Sequence, residues 1–170
     1  KNEKFVKNAV GSDEVKRFER VVELFRNYGK QYDVDYLLMM AQSFQESGLD
    51  HNARSAVGAI GIMQIMPATG KDLEVGDIKV LENNVKGGVK YMRFMIDRYY
   101  KDEPMTPLNK GLFTFASYNA GPGRARKWRT DRPLDGAIYA ATIPFSVTRD
   151  YVKKVLRSAV YYTTRHEGEP

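Results

Sequence analysis

The chain contains no cysteine. Disulfides and thiolate-ligated metal sites are therefore excluded, and the redox state of its compartment is left open. It also lacks long hydrophobic runs. Apolar stretches such as Tyr36 to Ala41 fall far short of the roughly 20 residues that a membrane span requires. Histidine is scarce: His51 and His166 have no His, Cys or acid neighbours at ligand spacing, so no metal is implied. There is no internal repeat and no low-complexity run. The polar, charged start shows no signal-peptide pattern; an exported protein would carry that signal outside this sequence.

What is present is the material of an ordinary soluble domain. The 170 residues favour a single domain over 1–170. Apolar residues make up 42% and charged residues 28%, and eleven Tyr and eight Phe can furnish a core, which excludes disorder of the whole chain. The net charge of +6 suits an acidic partner, whether nucleic acid, anionic lipid or an acidic polysaccharide. Charge alone does not choose among them.

The punctuation is helical, and the expected fold class is mainly α. Val15, Phe18, Val22, Leu24 and Phe25 predict a helix from about Asp13 to Asn27, capped by Ser12 and broken over Gly29 to Asp33. A second helix should start at Asp33 as N-cap, carry Asp35 in its first turn and stop at Gly48. Its apolar positions wrap most of the way round, so it should be central and buried. A small-residue loop, Leu49 to Met66, follows, with room for a small β-hairpin before Gln64. Pro67 then opens a short helix. Val85, Val89, Met92, Ile96 and Tyr99 mark a long amphipathic helix from Asn83 or Asn84 to about Tyr100. Pro104 and Pro107 mark a loop. Further helices are expected over Lys110–Tyr118, Leu134–Ala141 and Thr148–Tyr161.

Glu46 is the first candidate for chemistry. It sits at the C-terminal end of an apolar helix, beside Leu38, Met39 and Phe44. The negative end of the helix dipole and partial desolvation both disfavour its ionised form, as suits a general acid near neutral pH. Position alone favours an ordinary surface Glu in the last turn of the helix. The loop after it adds weight, because small residues let backbone pass close to something else, and Gln64 is a polar residue of buried type within it. A third segment, Ser117-Tyr118-Asn119-Ala120-Gly121, supplies hydroxyl and amide groups suited to sugar hydroxyls and N-acetyl groups.

Taken together, Glu46-Ser47, Gly61-Ile62-Met63-Gln64-Ile65-Met66-Pro67 and Tyr118-Asn119-Ala120-Gly121 resemble the lytic transglycosylase family with a goose-type lysozyme-like catalytic domain. Ile143-Pro144-Phe145 through Thr148-Arg149-Asp150-Tyr151-Val152 looks like that family's fourth motif. The resemblance covers about Gln31 to Tyr162. It implies a lysozyme-like helical fold, with a possible small hairpin near the cleft, that cleaves the β-1,4 bond between N-acetylmuramic acid and N-acetylglucosamine in peptidoglycan. The product carries a 1,6-anhydro ring, and no cofactor or metal takes part. Glu46 matches the lone acid/base. Ordinary glycosidases need two carboxylates; an attacking hydroxyl already within the substrate removes that need. Asp50, the nearest acid in sequence, reads as a loop acid capping a turn.

The resemblance also assigns supporting roles. Ser55 matches a serine that hydrogen-bonds the catalytic Glu. Gln64 and Met66 match cleft residues, Tyr118 a tyrosine close to the Glu and the sugar, and Asn119 a substrate or loop residue. Tyr151 matches an aromatic of the fourth motif, core or cleft. Ser47 reads as a backbone brace. The sequence departs from the family pattern at Val147, where a Glu associated with the cleft is often found. Peptidoglycan is the implied partner and the bacterial periplasm or envelope the implied location. No nucleic acid partner is implied, since no DNA- or RNA-binding fingerprint accompanies the charge, and a monomer is expected. The alternatives are a muramidase of the same fold and a catalytically impaired glycan-binding module.

Overall fold

The computed structural model describes residues 12–104 and 107–120. Among them the regular structure is helical: α1 (Ser12–Tyr32), α2 (Tyr36–Ser47), α3 (Pro67–Leu73), α4 (Leu81–Tyr100) and α5 (Pro107–Ala120). No described helix is long and apolar enough to cross a membrane. The expected helices over 134–141 and 148–161 lie outside the described residues.

The amphipathic stripe of α1 buries Val21, Val22, Leu24 and Phe25 against α2 and α4, while Val15 and Phe18 in its first turns stay exposed. The helix does not break at Gly29 but runs through to Tyr32. Glycine is required there for another reason. A Cβ at Gly29 would stand 2.7 Å from the Val34 carbonyl oxygen and 3.0 Å from Tyr36 Cβ, so α2 starts in contact with bare backbone. The chain reverses at Asp33, which takes a left-handed conformation (φ 53°). Asp35, not Asp33, is the N-cap of α2: its Oδ1 accepts the N–H of Leu37 at 2.9 Å and of Leu38 at 3.4 Å.

As the wrap-around apolar pattern requires, α2 is central. Leu38 through Ser43 are all buried, and Gly48 ends the helix in the left-handed region, its N–H bonded to the Phe44 carbonyl at 2.8 Å. Pro67 is the first residue of α3, as its fixed φ favours. Helix α4 begins two residues before Asn83 and buries Val85, Val89, Met92 and Ile96, with Tyr100 rather than Tyr99 deepest at its end. Pro107 opens α5 instead of belonging to the preceding loop. These helices and the loop residues Ile62, Met63 and Ile65 close over one apolar cluster in which Phe25, Met39, Met40, Phe113 and Phe115 are fully buried.

The hairpin allowed for in the 49–66 loop shrinks to two isolated antiparallel bridges, Arg54 with Ile60 and Ile60 with Ile65. No strand forms among the described residues. Ladder pairing is replaced by side chains that bind the loop backbone from three directions.

Candidate active site

Glu46 lies half-buried in the last turn of α2. The residues three before and one after it fix what stands beside that turn. Ser43 Oγ and Ser47 Oγ each donate to the same acceptor, the Ile62 carbonyl, at 2.8 Å. Ser43 is fully buried, so its hydroxyl needs this partner. Ser47 also reaches the Ser43 carbonyl at 3.2 Å. Ser47 is thus a brace that joins the Glu46 turn to the loop.

The Ile62 N–H is held as firmly as its carbonyl. It donates to His51 Nδ1 at 3.3 Å, while His51 Nε2 donates to the Lys79 carbonyl at 2.7 Å. Both ring nitrogens are occupied by backbone, so His51 is a strut between the loop and the segment leading into α4.

Asn84 supplies the third attachment. Its side chain is fully buried; Oδ1 accepts the Met63 N–H at 2.8 Å, and Nδ2 donates to the Ile60 and Ile78 carbonyls at 2.9 and 2.8 Å. Glycines let these groups meet. A Cβ on Gly61 (φ 81°) would lie 2.5 Å from Asn84 Nδ2 and 2.7 Å from His51 Nδ1. One on Gly88 would lie 2.5 Å from Met63 Cγ, and one on Gly87 2.9 Å from Ile65 Cδ1. The loop therefore lies flat on α4, with the buried Asn84 amide and the half-buried His51 imidazole as its fasteners.

The residues singled out from the sequence take the following places. Gln64 sits in the same loop with φ 50°, and its Nε2 donates to the Gly61 carbonyl at 2.8 Å and the Ala53 carbonyl at 3.2 Å. Both amide hydrogens are thereby committed to backbone. Ser55 Oγ accepts the Ala59 N–H at 2.9 Å and closes a turn. Met66 is the N-cap position of α3 and is 41% exposed. Asp50 behaves as a turn-capping acid: its Oδ1 accepts the Asn52 N–H at 2.8 Å. Tyr118 and Asn119 lie in the last turn of α5, and their side chains, like Tyr151 and Val147, are outside what the structure describes. Ser117 just before them is buried and bonds to Tyr100 Oη at 2.6 Å.

His51 and Asn84 were not legible as site-supporting residues. The signal for Asn84 was faint: an amide placed one residue before the apolar stripe of α4, with propensity for a cap but a position already inside the helix.

The family model of the transglycosylase SLT domain matches residues 23–136. The chain therefore belongs to the SLT transglycosylase family. It is 34% identical over 152 residues to the soluble lytic murein transglycosylase of Salmonella typhimurium, covering 82% of this chain and 22% of that protein. It is 31% identical over 109 residues to the membrane-bound lytic murein transglycosylase F of Shewanella oneidensis, covering 63% of this chain and 22% of that one. Among solved structures, an inactive mutant of lytic transglycosylase Slt from Pseudomonas aeruginosa superposes with a TM-score of 0.72 at 30% identity, over 87% of this chain and 24% of that one. The 70 kDa soluble lytic transglycosylase of Escherichia coli gives 0.71 at 31%, over 86% and 24%. The mainly helical fold is thus the lysozyme-like α fold of those enzymes. The chain spans about a quarter of the length of the relatives it matches. The family match begins before Gln31 and ends before the fourth motif.

Proposed function

We propose that this chain is a peptidoglycan lytic transglycosylase domain of the bacterial cell envelope, with Glu46 as its single acid and base. In the first half of the reaction Glu46, as a carboxylic acid, gives its proton to the glycosidic oxygen, and the bond from C1 of N-acetylmuramic acid to that oxygen breaks. In the second half the carboxylate takes the proton of the C6 hydroxyl as its oxygen bonds to C1. The proton count closes, and the sugar leaves as a 1,6-anhydro ring with no water consumed. The attacking hydroxyl is part of the substrate, so the rate gain comes from orientation rather than from a second carboxylate.

The observation that carries this reading is the pair of hydrogen bonds that Ser43 Oγ and Ser47 Oγ donate to the Ile62 carbonyl, which fasten the loop against the turn bearing Glu46. It has this meaning because the chain belongs to a family whose named relatives are lytic murein transglycosylases. On this reading Gln64 turns its uncommitted Oε1 to a sugar N–H or hydroxyl, and exposed Met66 gives an apolar wall. Ser55, whose oxygen accepts from Ala59, retains its hydroxyl proton for the Glu46 carboxylate. Tyr118, Asn119 and Tyr151 complete the sugar contacts.

The test is mass spectrometry of muropeptides released from purified peptidoglycan by the wild type and by Glu46→Gln. Anhydro products from the wild type and none from the variant are expected. Reducing-end products would make the enzyme a muramidase, and binding without release would make it a glycan-binding module.

A further inference from the structure

Near the end of α5, Phe113 through Ser117 are all buried. Apolar burial is non-directional: it draws a helix inside without fixing where along or around its axis it comes to rest. A buried hydrogen bond is directional and does fix it. Two hydroxyls lie in this stretch. Thr114 Oγ1 donates to the Lys110 carbonyl at 2.6 Å, a bond within α5 itself. Ser117 is reached from another helix.

That helix is α4. Its last residue, Tyr100, is fully buried, and the ring packs on Phe113 with centroids 5.9 Å apart. Packing alone asks only for phenylalanine there. The Tyr100 hydroxyl stands 2.6 Å from Ser117 Oγ and 3.4 Å from the Phe113 carbonyl oxygen. Ser117 Oγ stands 3.0 Å from that same carbonyl. Each hydroxyl has one hydrogen to give. The two shorter contacts are satisfied together when Ser117 donates to the carbonyl and Tyr100 donates to Ser117. A chain of bonds thus runs from the end of α4 into the turn of α5 that leads to Tyr118 and Asn119.

We propose that Tyr100 is a positioning residue: through Ser117, its hydroxyl fixes where the turn carrying Tyr118 and Asn119 stands relative to Glu46. The proposal rests on the reading under which those two residues complete the sugar contacts. Helix α4 then seats both parts of the site. Asn84, Gly87 and Gly88 in its first half seat the loop that is fastened to the Glu46 turn. Tyr100, about 24 Å further along the helix, seats α5. Glu46 and the pair Tyr118 and Asn119 stand on different helices, so their separation depends on both attachments. A misplacement of about 1 Å at a reacting centre can cost about a hundredfold in rate, which is reason enough for a hydroxyl where a bare ring would pack.

The test uses a soluble tetrasaccharide of alternating N-acetylglucosamine and N-acetylmuramic acid. Its affinity is measured by isothermal titration in the Glu46→Gln background, where no cleavage intervenes. Adding Tyr100→Phe should weaken binding by about tenfold, and adding Ser117→Ala by a similar factor. The two together should do no worse than either alone, because they break one chain of bonds. In proteins that keep Glu46, kcat/KM for release of anhydro products should fall by at least the same factor. All measurements are made well below the denaturation midpoint of each variant, read by circular dichroism. A merely structural hydroxyl would lower that midpoint and leave affinity and kcat/KM of the folded protein as they were, and that result would overturn the proposal. Losses that multiply in the double variant would overturn it too. If Tyr100→Phe does not fold, the smaller change Ser117→Ala decides on its own by the same readouts. Failure of the wild type to release anhydro products would overturn the reaction assigned to Glu46, while the affinities would still decide the role of Tyr100. Absence of any tetrasaccharide binding by folded Glu46→Gln would overturn both.

Discussion

Asn84 binds three backbone groups from two segments, and its removal would be felt in both stability and turnover. Asn84→Ala leaves the buried Met63 N–H without its acceptor and takes a donor from the Ile60 and Ile78 carbonyls. A buried group left unpaired costs about 1–3 kcal/mol, so a loss of about 3 kcal/mol is expected in urea unfolding. Turnover should fall with it, because the loop fixed against Glu46 loses one of its three attachments; anhydro-muropeptide release measures this. Gln42 is the opposite case. Its side chain is fully buried in α2, and neither amide atom has a hydrogen-bond partner among the described residues. Gln42→Met keeps the shape and removes the desolvation cost, so stability should rise by about 1–2 kcal/mol. An unchanged or lower denaturation midpoint would refute that. Sequence reasoning singled out Glu46, Ser47 and Gln64 because their motif is local. It missed Asn84 and His51 because their bonds to the loop and to Lys79 join residues 11 to 28 positions apart, and nothing in a side chain's own neighbourhood announces such a partner.

Helix identity was legible in the chain, while several helix ends were not. The apolar stripe of α4, the Gly48 stop and Pro67 at the head of α3 follow from local chemistry alone. The junction of α1 and α2 does not. Gly29 and Asp33 look locally like a breaker and a cap, yet the helix continues through the first and the cap falls two residues beyond the second. Tertiary contact decides, since α2 packs its first turn on the bare backbone of Gly29. Gly29→Ala separates the two effects by sign. Helix propensity alone would make alanine better by about 1 kcal/mol. The new Cβ would stand 2.7 Å from the Val34 carbonyl oxygen, a backbone atom that cannot rotate aside. Overpacking of this kind costs about 1–3 kcal/mol and should win, so thermal denaturation is expected to show a lower midpoint. A higher one would mean that the junction yields and that propensity governs there.

At the scale of the whole molecule, the long-range tie between α1 and α4 carries a pH signature. Tyr28 on α1 donates its phenol hydrogen to Glu82 on α4 at 2.8 Å, and Arg20 approaches the same carboxylate at 3.5 Å. Burial, and then the bond to the Glu82 carboxylate, raise the Tyr28 phenol above its ordinary 10.0. Burial does the same to Tyr91, with Tyr99 nearby adding to it. A raised phenol means that the folded chain prefers the neutral form more than the unfolded chain does. The resulting stability is complete below pH 10 and is lost as pH rises through the folded value. Thermal midpoints should therefore fall on the alkaline side, and Tyr28→Phe should change the shape of that fall. Below pH 9 the variant lacks the bond to Glu82 and should be less stable, by about 1 kcal/mol. Above pH 10 the wild type loses that advantage while the variant has no phenol at this position to ionise, so the two curves should converge. Lysine deprotonation in the same range acts on both proteins and cancels in the difference. Parallel curves from pH 8 to 11 would mean that the Tyr28–Glu82 bond does not hold α1 to α4 in solution. Convergence would show that this hydrogen bond adds to the apolar packing that joins α1 to α4, the helix against which the Glu46 loop is fastened.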